Sequence, residues 1–440
     1  MPSALATDLY QLTMMAGYQH GGLVGRSTFE LFVRTLPAGR GYLMAAGLEQ
    51  ALELLEDLRF TPDEIQYLRS VPALAGAPES FFGDLLPSVR FTGDVWAVPE
   101  GEIVFAQEPI LRVTAPSLEA QLVETALLAT ITFQTSIASK AARVVEAAQG
   151  RSVVEFGSRR AHGLDAALHA ARASYIAGCL GTSNVEAGYR FGIPVSGTMA
   201  HSWVMSFERE IDAFREYIAL FGETATLLID TYDTLASARA IVDAGLRPGS
   251  VRLDSGDLVA LSREVRRILD AGGLTHTRII VSGDLDEYSV AQLIAQAAPI
   301  DAFGVGTALS TSRDAPALGG VYKLVAIERA GRMAPVAKLS AGKRTLPGSK
   351  QVWRRADGGC ATGDVIALSD EPSPDGRPLL TKVMEGGRRL HPAARLDDAR
   401  GYAERAIREL PEAVRRLEGW DDYAVRISSK LDALAARTGR

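Results

Sequence analysis

Beyond Gly150 one pattern repeats: a short apolar run, a polar or glycine-rich cluster, then a helical stretch. The runs are SVVEF (152–156), TLLID (226–230), SVRLD (250–254), RIIVS (278–282) and DAFGVG (301–306). Each of the first four is followed by a helical pattern of roughly ten or more residues. Short strands alternating with helices imply a parallel sheet, either an open doubly wound sheet or a β/α barrel. The polar residues gather at the C-terminal end of each run: Arg159 and Arg160, Asp230 and Asp233, Asp254 and Asp257, Ser282 and Asp284, Gly306 and Thr307. A barrel brings those ends to one mouth, whereas an open sheet spreads them along an edge. The convergence favours an incomplete or irregular TIM-type β/α barrel, with 181–207 supplying one or two shorter strands.

The rest of the chain has a different texture, and 440 residues exceed one ordinary core. TDLYQLTMMAGYQ (7–19) reads as a helix capped by Thr7 or Asp8, with Leu9, Leu12, Met15 and Ala16 on one face. Phe29, Leu31 and Val33 alternate with Glu30, Phe32 and Arg34, which predicts a strand. Arg34 and Arg40 flank a Pro-Ala-Gly turn and read as solvated charges. The turn-rich stretch 91–116 reads as several short strands. Residues 118–149 read as two Ala-rich helices interrupted near 130–135. Residues 338–354 form a basic segment that reads as a loop, EPSPDGRP is a short linker, and 396–437 reads as one or two charged amphipathic helices. The expected organisation is an N-terminal α+β domain at 1–116, a β/α catalytic barrel at 117–320, and a C-terminal segment at 321–440 packing back on the N-terminal domain.

A net charge of −6 argues against a dedicated nucleic-acid binder, though not against local phosphate pockets. Two cysteines without a CxxC pair exclude a disulfide framework and a zinc ribbon and point to the cytoplasm. No apolar run is long enough to span a membrane, and no signal-peptide pattern opens the chain.

The chemistry concentrates in three places. GTSNVEAGYRFGIPVSGTMAHSWVMSF (181–207) sets His201 at a helix entrance near hydroxyls and glycines, where backbone N–H groups collect and anions bind. Taken alone, His201 also reads as a structural cap. SGD (282–284) and Gly304, Gly306 and Thr307 make two glycine turns on consecutive strands, a moderate signal for a phosphate site. VRLDSGDL (251–258) holds Arg252, a fixed cation able to fork onto a carboxylate or phosphate, with Asp254 and Asp257 suited to sugar hydroxyls or, through water, Mg²⁺. An Arg with two Asp is as often a salt-bridge network. Beside a phosphate turn and His201, a phosphorylated sugar becomes the better reading.

TDLYQLTM, FELFVRTLP, EFGSRRAHG, GTSNVEAGYRFGIPVSGTMAHS, IDTYDT, VRLDSGDL and FGVGTAL stand in the order seen in nicotinate phosphoribosyltransferases, and the chain resembles that family from about residue 7 to 350. The resemblance implies transfer of a 5-phosphoribosyl group from its 1-diphosphate to nicotinate, giving nicotinate mononucleotide and diphosphate in NAD biosynthesis. It implies ATP as co-substrate, acting through a phosphohistidine at His201, and Mg²⁺ held mainly by the diphosphate. It implies a homodimer with shared sites. Tyr10, from a neighbouring subunit, and Phe156 match the two faces of a pyridine sandwich; Thr198 and Arg252 match residues around nicotinate. Asp230 and Asp254 match residues near His201 and the ribose hydroxyls. Arg34, reaching across the dimer, and Lys338 match basic residues at the phosphates. Thr307, with Gly304 and Gly306, matches the 5-phosphate turn, and Ser282 and Gly283 line the neighbouring one.

Nicotinamide phosphoribosyltransferases share the fold and the His but carry Asp where this chain has Ser183. An Asp there would repel a carboxylate substrate, so Ser183 favours the acid. Quinolinate phosphoribosyltransferases are shorter and lack the ATP-linked His. A non-catalytic nucleotide-binding barrel is the reading from another class; it predicts loss of His201, Arg252 or the glycine turn, and all are present.

Overall fold

The computed structural model describes residues 4–23, 25–340, 344–372 and 375–438. Parts of the basic segment and of the EPSPDGRP linker (341–343 and 373–374) lie outside them. The chain forms two compact units, Ile137–Pro316 and a second made of Met1–Ser136 with Ala317–Arg440.

The first of these holds six parallel strands: β1 (Ser152–Glu155), β2 (Gly181–Thr182), β3 (Thr226–Leu228), β4 (Ser250–Leu253), β5 (Arg278–Val281) and β6 (Ala302–Val305). Their order is β2-β1-β6-β5-β4-β3. Val153, Leu227, Val251, Ile279 and Phe303 are buried, as a parallel sheet covered by helices requires. Helices Leu164–Ile176, Thr234–Asp243, Leu258–Ala271 and Glu287–Ala295 carry the chain back between strands. Asp233, Asp257 and Asp286 cap the last three by accepting backbone N–H bonds. Two of the strand-end carboxylates, Asp233 and Asp257, are therefore caps. β2 and β3 follow one another in sequence yet hold opposite edges, so the sheet stays an open half-barrel, the incomplete barrel the sequence implies. A bridge from Thr182 to Val195 adds the second short strand-like piece expected in 181–207.

The other unit is α+β and draws on both ends of the chain. Its seven-stranded antiparallel sheet runs Arg332–Pro335, Gly320–Arg329, Arg26–Val33, Pro109–Pro116, Asp94–Ala97, Thr381–Glu385, Arg388–Arg389. A four-stranded sheet of Arg377–Pro378, Lys350–Asp357, Cys360–Leu368 and Val425–Ile427 accompanies it. Leu31, Val95, Leu111, Val113, Tyr322 and Val352 share its main core.

Several expectations need correction. The division between units falls within the helix Glu124–Ala147 rather than near residue 116. That helix runs unbroken through 130–135; the break comes earlier, at Val123. Two hydroxyls in that stretch find partners: Thr132 donates to the Leu128 carbonyl at 2.7 Å, and the Thr135 hydroxyl accepts from Ala46 N at 3.2 Å. On the helix Leu9–His20 it is Gln11 and not Leu9 that lies buried, because its amide donates to the Gln121 carbonyl. Arg40 is buried rather than solvated and donates to the Ser136 carbonyl at 3.1 Å. Lys350, at the end of the basic segment, begins a strand and is buried against Glu30 at 2.7 Å. The C-terminal stretch holds a short strand, Val425–Ile427, between its helices. Among the described residues no helix is long and apolar enough to cross a membrane.

Candidate active site

The parallel ladder continues past the strands. Phe156 N–H donates to the Val305 carbonyl at 2.8 Å, Ser183 N–H to Glu155 O at 2.9 Å, and Ser282 N–H to Leu253 O at 2.9 Å. These bonds set residues 156, 183, 254 and 282 at neighbouring strand ends. Arg252, two residues before Asp254, shares its face of β4 by strand periodicity.

Arg252 is the hub. Its Nε donates to Ser282 Oγ at 2.7 Å, Nη1 to Thr198 Oγ1 at 3.0 Å and Nη2 to Asp254 Oδ1 at 2.7 Å. Its Cζ lies 5.6 Å from the centre of the Phe156 ring. A guanidinium has five N–H donors, so two remain for an incoming carboxylate or phosphate oxygen. Ser282 Oγ also donates to Asp254 Oδ1 at 2.5 Å. Burial pushes the Asp254 pKa up, but Ser282, Arg252 and the nearby His201 outweigh it and hold the carboxyl below its ordinary value. Asp254 N–H donates to Asp230 Oδ2 at 2.9 Å, and Ser255 Oγ donates to the same oxygen at 2.7 Å.

His201 begins a helix of five residues, His201–Met205, too short for a developed macrodipole. Two contacts place its ring: Nδ1 lies 3.1 Å from Thr231 Oγ1, and Nε2 lies 4.0 Å from Asp254 Oδ2. The helix after Gly306, Thr307–Ser310, is shorter still, so any anion there meets individual backbone N–H groups and the Thr307 hydroxyl.

The glycines divide by role. Gly304 lies within β6, and a Cβ there would stand 2.5 Å from Phe156 Cδ2, so its bareness seats the ring rather than a phosphate. Gly283 has φ +94° and a Cβ there would meet the Asp254 carbonyl oxygen at 2.0 Å, so the turn excludes side chains. Gly283, Gly306 and Thr307 stay accessible at the open end, whereas the buried Ser282 hydroxyl is spent on Arg252 and Asp254. Ser183 is half-buried beside β1.

Tyr10, Arg34 and Lys338 belong to the other unit. Tyr10 is 47% exposed, and partial burial together with Glu124 pushes its hydroxyl up to about 12. The main chain of Arg34 bonds Gly319 and Gln107, and its side chain is half-buried. Lys338 is exposed and pairs through its backbone with Thr345. Sequence reasoning passed over Thr231, Glu155 and Thr182, although each lies in or beside a quoted motif. A charged residue closing an apolar run, as Glu155 does, is the signal that marks such a group.

Among the described residues no cluster of three or more His, Cys, Asp or Glu side chains could hold a metal. Within this cluster Asp230 Oδ1 is buried without a hydrogen-bond partner among the described residues. With Asp254 close by, that donor set fits a hard cation whose remaining ligands are substrate oxygens and water.

Family models match three stretches: the nicotinate phosphoribosyltransferase N-terminal domain at 5–132, the nicotinate phosphoribosyltransferase family at 151–356, and the C-terminal domain at 375–435. A nicotinate phosphoribosyltransferase of Mycobacterium tuberculosis is 47% identical over 442 residues, covering 99% of this chain and 93% of that protein. This chain belongs to the nicotinate phosphoribosyltransferase family. The Bacillus subtilis nicotinate phosphoribosyltransferase is 45% identical, over 86% of this chain and 78% of that protein. The crystal structure of human nicotinic acid phosphoribosyltransferase superposes with a TM-score of 0.86 at 31% identity, over 98% and 99% of the two chains. A nicotinate-nucleotide pyrophosphorylase of Pyrococcus furiosus shares the fold, with a TM-score of 0.75 at 24% identity over 92% and 95%. Within this nicotinate phosphoribosyltransferase family, the cluster around Arg252 lies at the open strand ends of the parallel sheet, where such folds place chemistry.

Proposed function

We propose that this chain joins nicotinate to 5-phosphoribosyl 1-diphosphate, releasing nicotinate mononucleotide and diphosphate, and couples that step to ATP hydrolysis through phosphorylation of His201. The observation that carries the reading is the Arg252 hub. A single guanidinium hydrogen-bonds Thr198, Ser282 and Asp254 and lies over the Phe156 ring, with His201 next to Asp254.

As the C1–oxygen bond to diphosphate breaks, the ribosyl centre becomes oxocarbenium-like and the pyridine nitrogen attacks it with its own lone pair. No general base is needed; the protein holds the ring in line and neutralises the departing charge. Phe156, seated against Gly304, offers a flat apolar face to the ring. The two spare N–H groups of Arg252 suit the substrate's negative oxygens. Asp254 and Asp230 suit the ribose hydroxyls, and Gly283, Gly306 and Thr307 the phosphate groups. Mg²⁺, bound through diphosphate oxygens and water near Asp230 and Asp254, would supply electrostatic stabilisation of the leaving group. In the coupled step an imidazole nitrogen of His201 attacks the γ-phosphorus, the bond to the bridging oxygen breaks and ADP leaves. Water later takes the phosphoryl group as phosphate.

We further infer a homodimer in which Tyr10 and Arg34 serve the partner's site; mixtures of Tyr10→Ala and Arg252→Ala subunits that exchange yet stay inactive would refute it. The two free cysteines support a cytoplasmic home, which cell fractionation tests. The decisive experiment is labelling with γ-phosphate-labelled ATP and Mg²⁺. An acid-labile, base-stable phosphate is expected on the wild type and none on His201→Ala, which keeps slow, ATP-independent nicotinate mononucleotide synthesis. Label that survives the substitution sinks the His201 assignment.

A further inference from the structure

Glu155 closes β1 directly before Phe156, and its side chain is 1% exposed. Both carboxylate oxygens accept. The Gly157 N–H donates to Oε1, and the Thr182 hydroxyl, wholly buried, donates to Oε2 at 2.6 Å. Burial pushes the carboxyl up from its ordinary range, and the Thr182 hydroxyl and the Gly157 amide pull it part of the way back. A buried carboxyl group held by a hydroxyl and an amide is an expensive way to join two strands, and apolar packing would do so at less cost. What it achieves is a link. On one side lies the turn that follows Phe156. Gly157 is also held from behind, because a Cβ there would meet Ser310 Oγ at 2.3 Å. On the other side the link continues: Asn184 N–H donates to Thr182 Oγ1 at 3.0 Å, and Asn184 caps the helix Val185–Phe191 by accepting from Ala187 N. The main chain adds a parallel tie, Ser183 N–H to Glu155 O at 2.9 Å.

We infer that Glu155 and Thr182 are positioning residues for the pyridine subsite, fixing the Phe156 face and the Ser183 loop at one spacing so that the site discriminates nicotinate from its amide. Neither needs to touch substrate; they act through Phe156 and Ser183. The inference rests on the proposed function and on the placement of the pyridine beside those two residues. Glutamate suits the task because both of its partners are donors. A glutamine offers one acceptor oxygen and turns an N–H toward the other donor.

The test uses full-length enzyme carrying Thr182→Val, Thr182→Ser or Glu155→Gln. Michaelis constants are measured separately for nicotinate, nicotinamide and the ribosyl donor, beside phosphoryl labelling from ATP and the melting temperature. Thr182→Val keeps shape and removes the donor. It should raise KM for nicotinate about tenfold or more, the worth of a hydrogen bond to a charged group. KM for the ribosyl donor and the label on His201 should stay within about twofold. The preference for nicotinate over nicotinamide should shrink, and Thr182→Ser should restore it. Glu155→Gln should move the same quantities in the same direction, and if it fails to fold, the Thr182 pair decides alone. Thr182→Val that leaves KM for nicotinate unchanged, or that shifts both Michaelis constants together with the melting temperature, overturns the inference while the functional reading stands. Wild type that transfers no ribosyl phosphate to nicotinate overturns both.

Discussion

Gly304→Ala adds one methyl group at the place where the site has least room for it. The new Cβ would lie 2.5 and 2.6 Å from Phe156 Cδ2 and Cε2, and 3.3 Å from Ser282 Cβ. Ordinary carbon contacts begin near ~3.5 Å, so the ring must withdraw by about 1 Å. Ser282 crowds the new methyl group itself, so the strain falls on the ring, which must leave its place beside the space proposed for the pyridine. Overpacking of this kind costs about 1–3 kcal/mol. In a unit of this size that lowers the melting temperature by about 2–4 °C per kcal/mol. A 1 Å misplacement of a binding face can cost up to about 10²-fold in turnover efficiency, and here the loss should fall on KM for nicotinate first. The assay is steady-state transfer with nicotinate varied at saturating ribosyl donor, paired with thermal melting. Phe156→Ala supplies the control. Without the ring the clash vanishes, so Gly304→Ala should cost almost nothing in that background. An equal loss of stability in both backgrounds would refute the claim that the glycine exists to seat the ring. A single substitution with wild-type melting and wild-type KM would refute it as well.

Ser183→Asp should depress nicotinate use far more than nicotinamide use, since a carboxylate there repels a carboxylate; equal losses in competing-substrate assays would show that Ser183 does not face the ring substituent. Asp254 has a lowered folded pKa, so its stabilisation is present above the unfolded value near 3.8 and is lost as pH falls through the folded value. The melting temperature of Asp254→Asn should accordingly vary less with pH than the wild type's below about pH 4, and parallel curves would refute the assignment. Lys350→Met strands the buried Glu30 carboxylate and should cost about 3–5 kcal/mol in denaturant unfolding, much of it recovered by adding Glu30→Gln. A single substitution as costly as any apolar core replacement, with no recovery in the double, would show packing and not charge at work.

The parallel half of the fold was legible because its strands obey a local rule: an apolar run, then polar residues where the chain leaves the sheet. Arg252, Asp254 and Phe156 stand at or beside those exits, Thr198 was marked by the family resemblance alone, and the structure brings the four together. Less legible were groups whose role depends on a partner far along the chain. Nothing local distinguishes Lys350, paired with Glu30 across 320 positions, from a solvated lysine in a basic stretch. Arg40 is alike, since its acceptor is a carbonyl at Ser136. The unbroken helix through Thr130–Thr135 defied propensity because Ile131, Gln134 and Thr135 are buried, and tertiary packing outweighs the weak preference of β-branched residues. Asp257 and Asp233 show the opposite failure. They carry the chemistry of ligands and serve as helix caps, accepting from main-chain N–H groups two to three residues downstream.

The strands β2 and β3 hold opposite edges of the parallel sheet, so the chain between them must travel from one side of the half-barrel to the other. His201 and Thr198 ride on that traverse, whereas Phe156, Arg252, Asp254 and Ser282 stand on or directly after strands and are held by the ladder. The subsites proposed for ring and ribose thus stand on the scaffold, and the proposed phosphoryl acceptor on a strap thrown across it. Residues 197–221 add no main-chain hydrogen bond to the six-stranded ladder, although Val204, Ala213 and Phe214 among them are buried. The proposed coupling to ATP and the Thr198 contact to Arg252 thus ride on one crossing of the sheet, apart from the strand ends that carry the rest of the cluster.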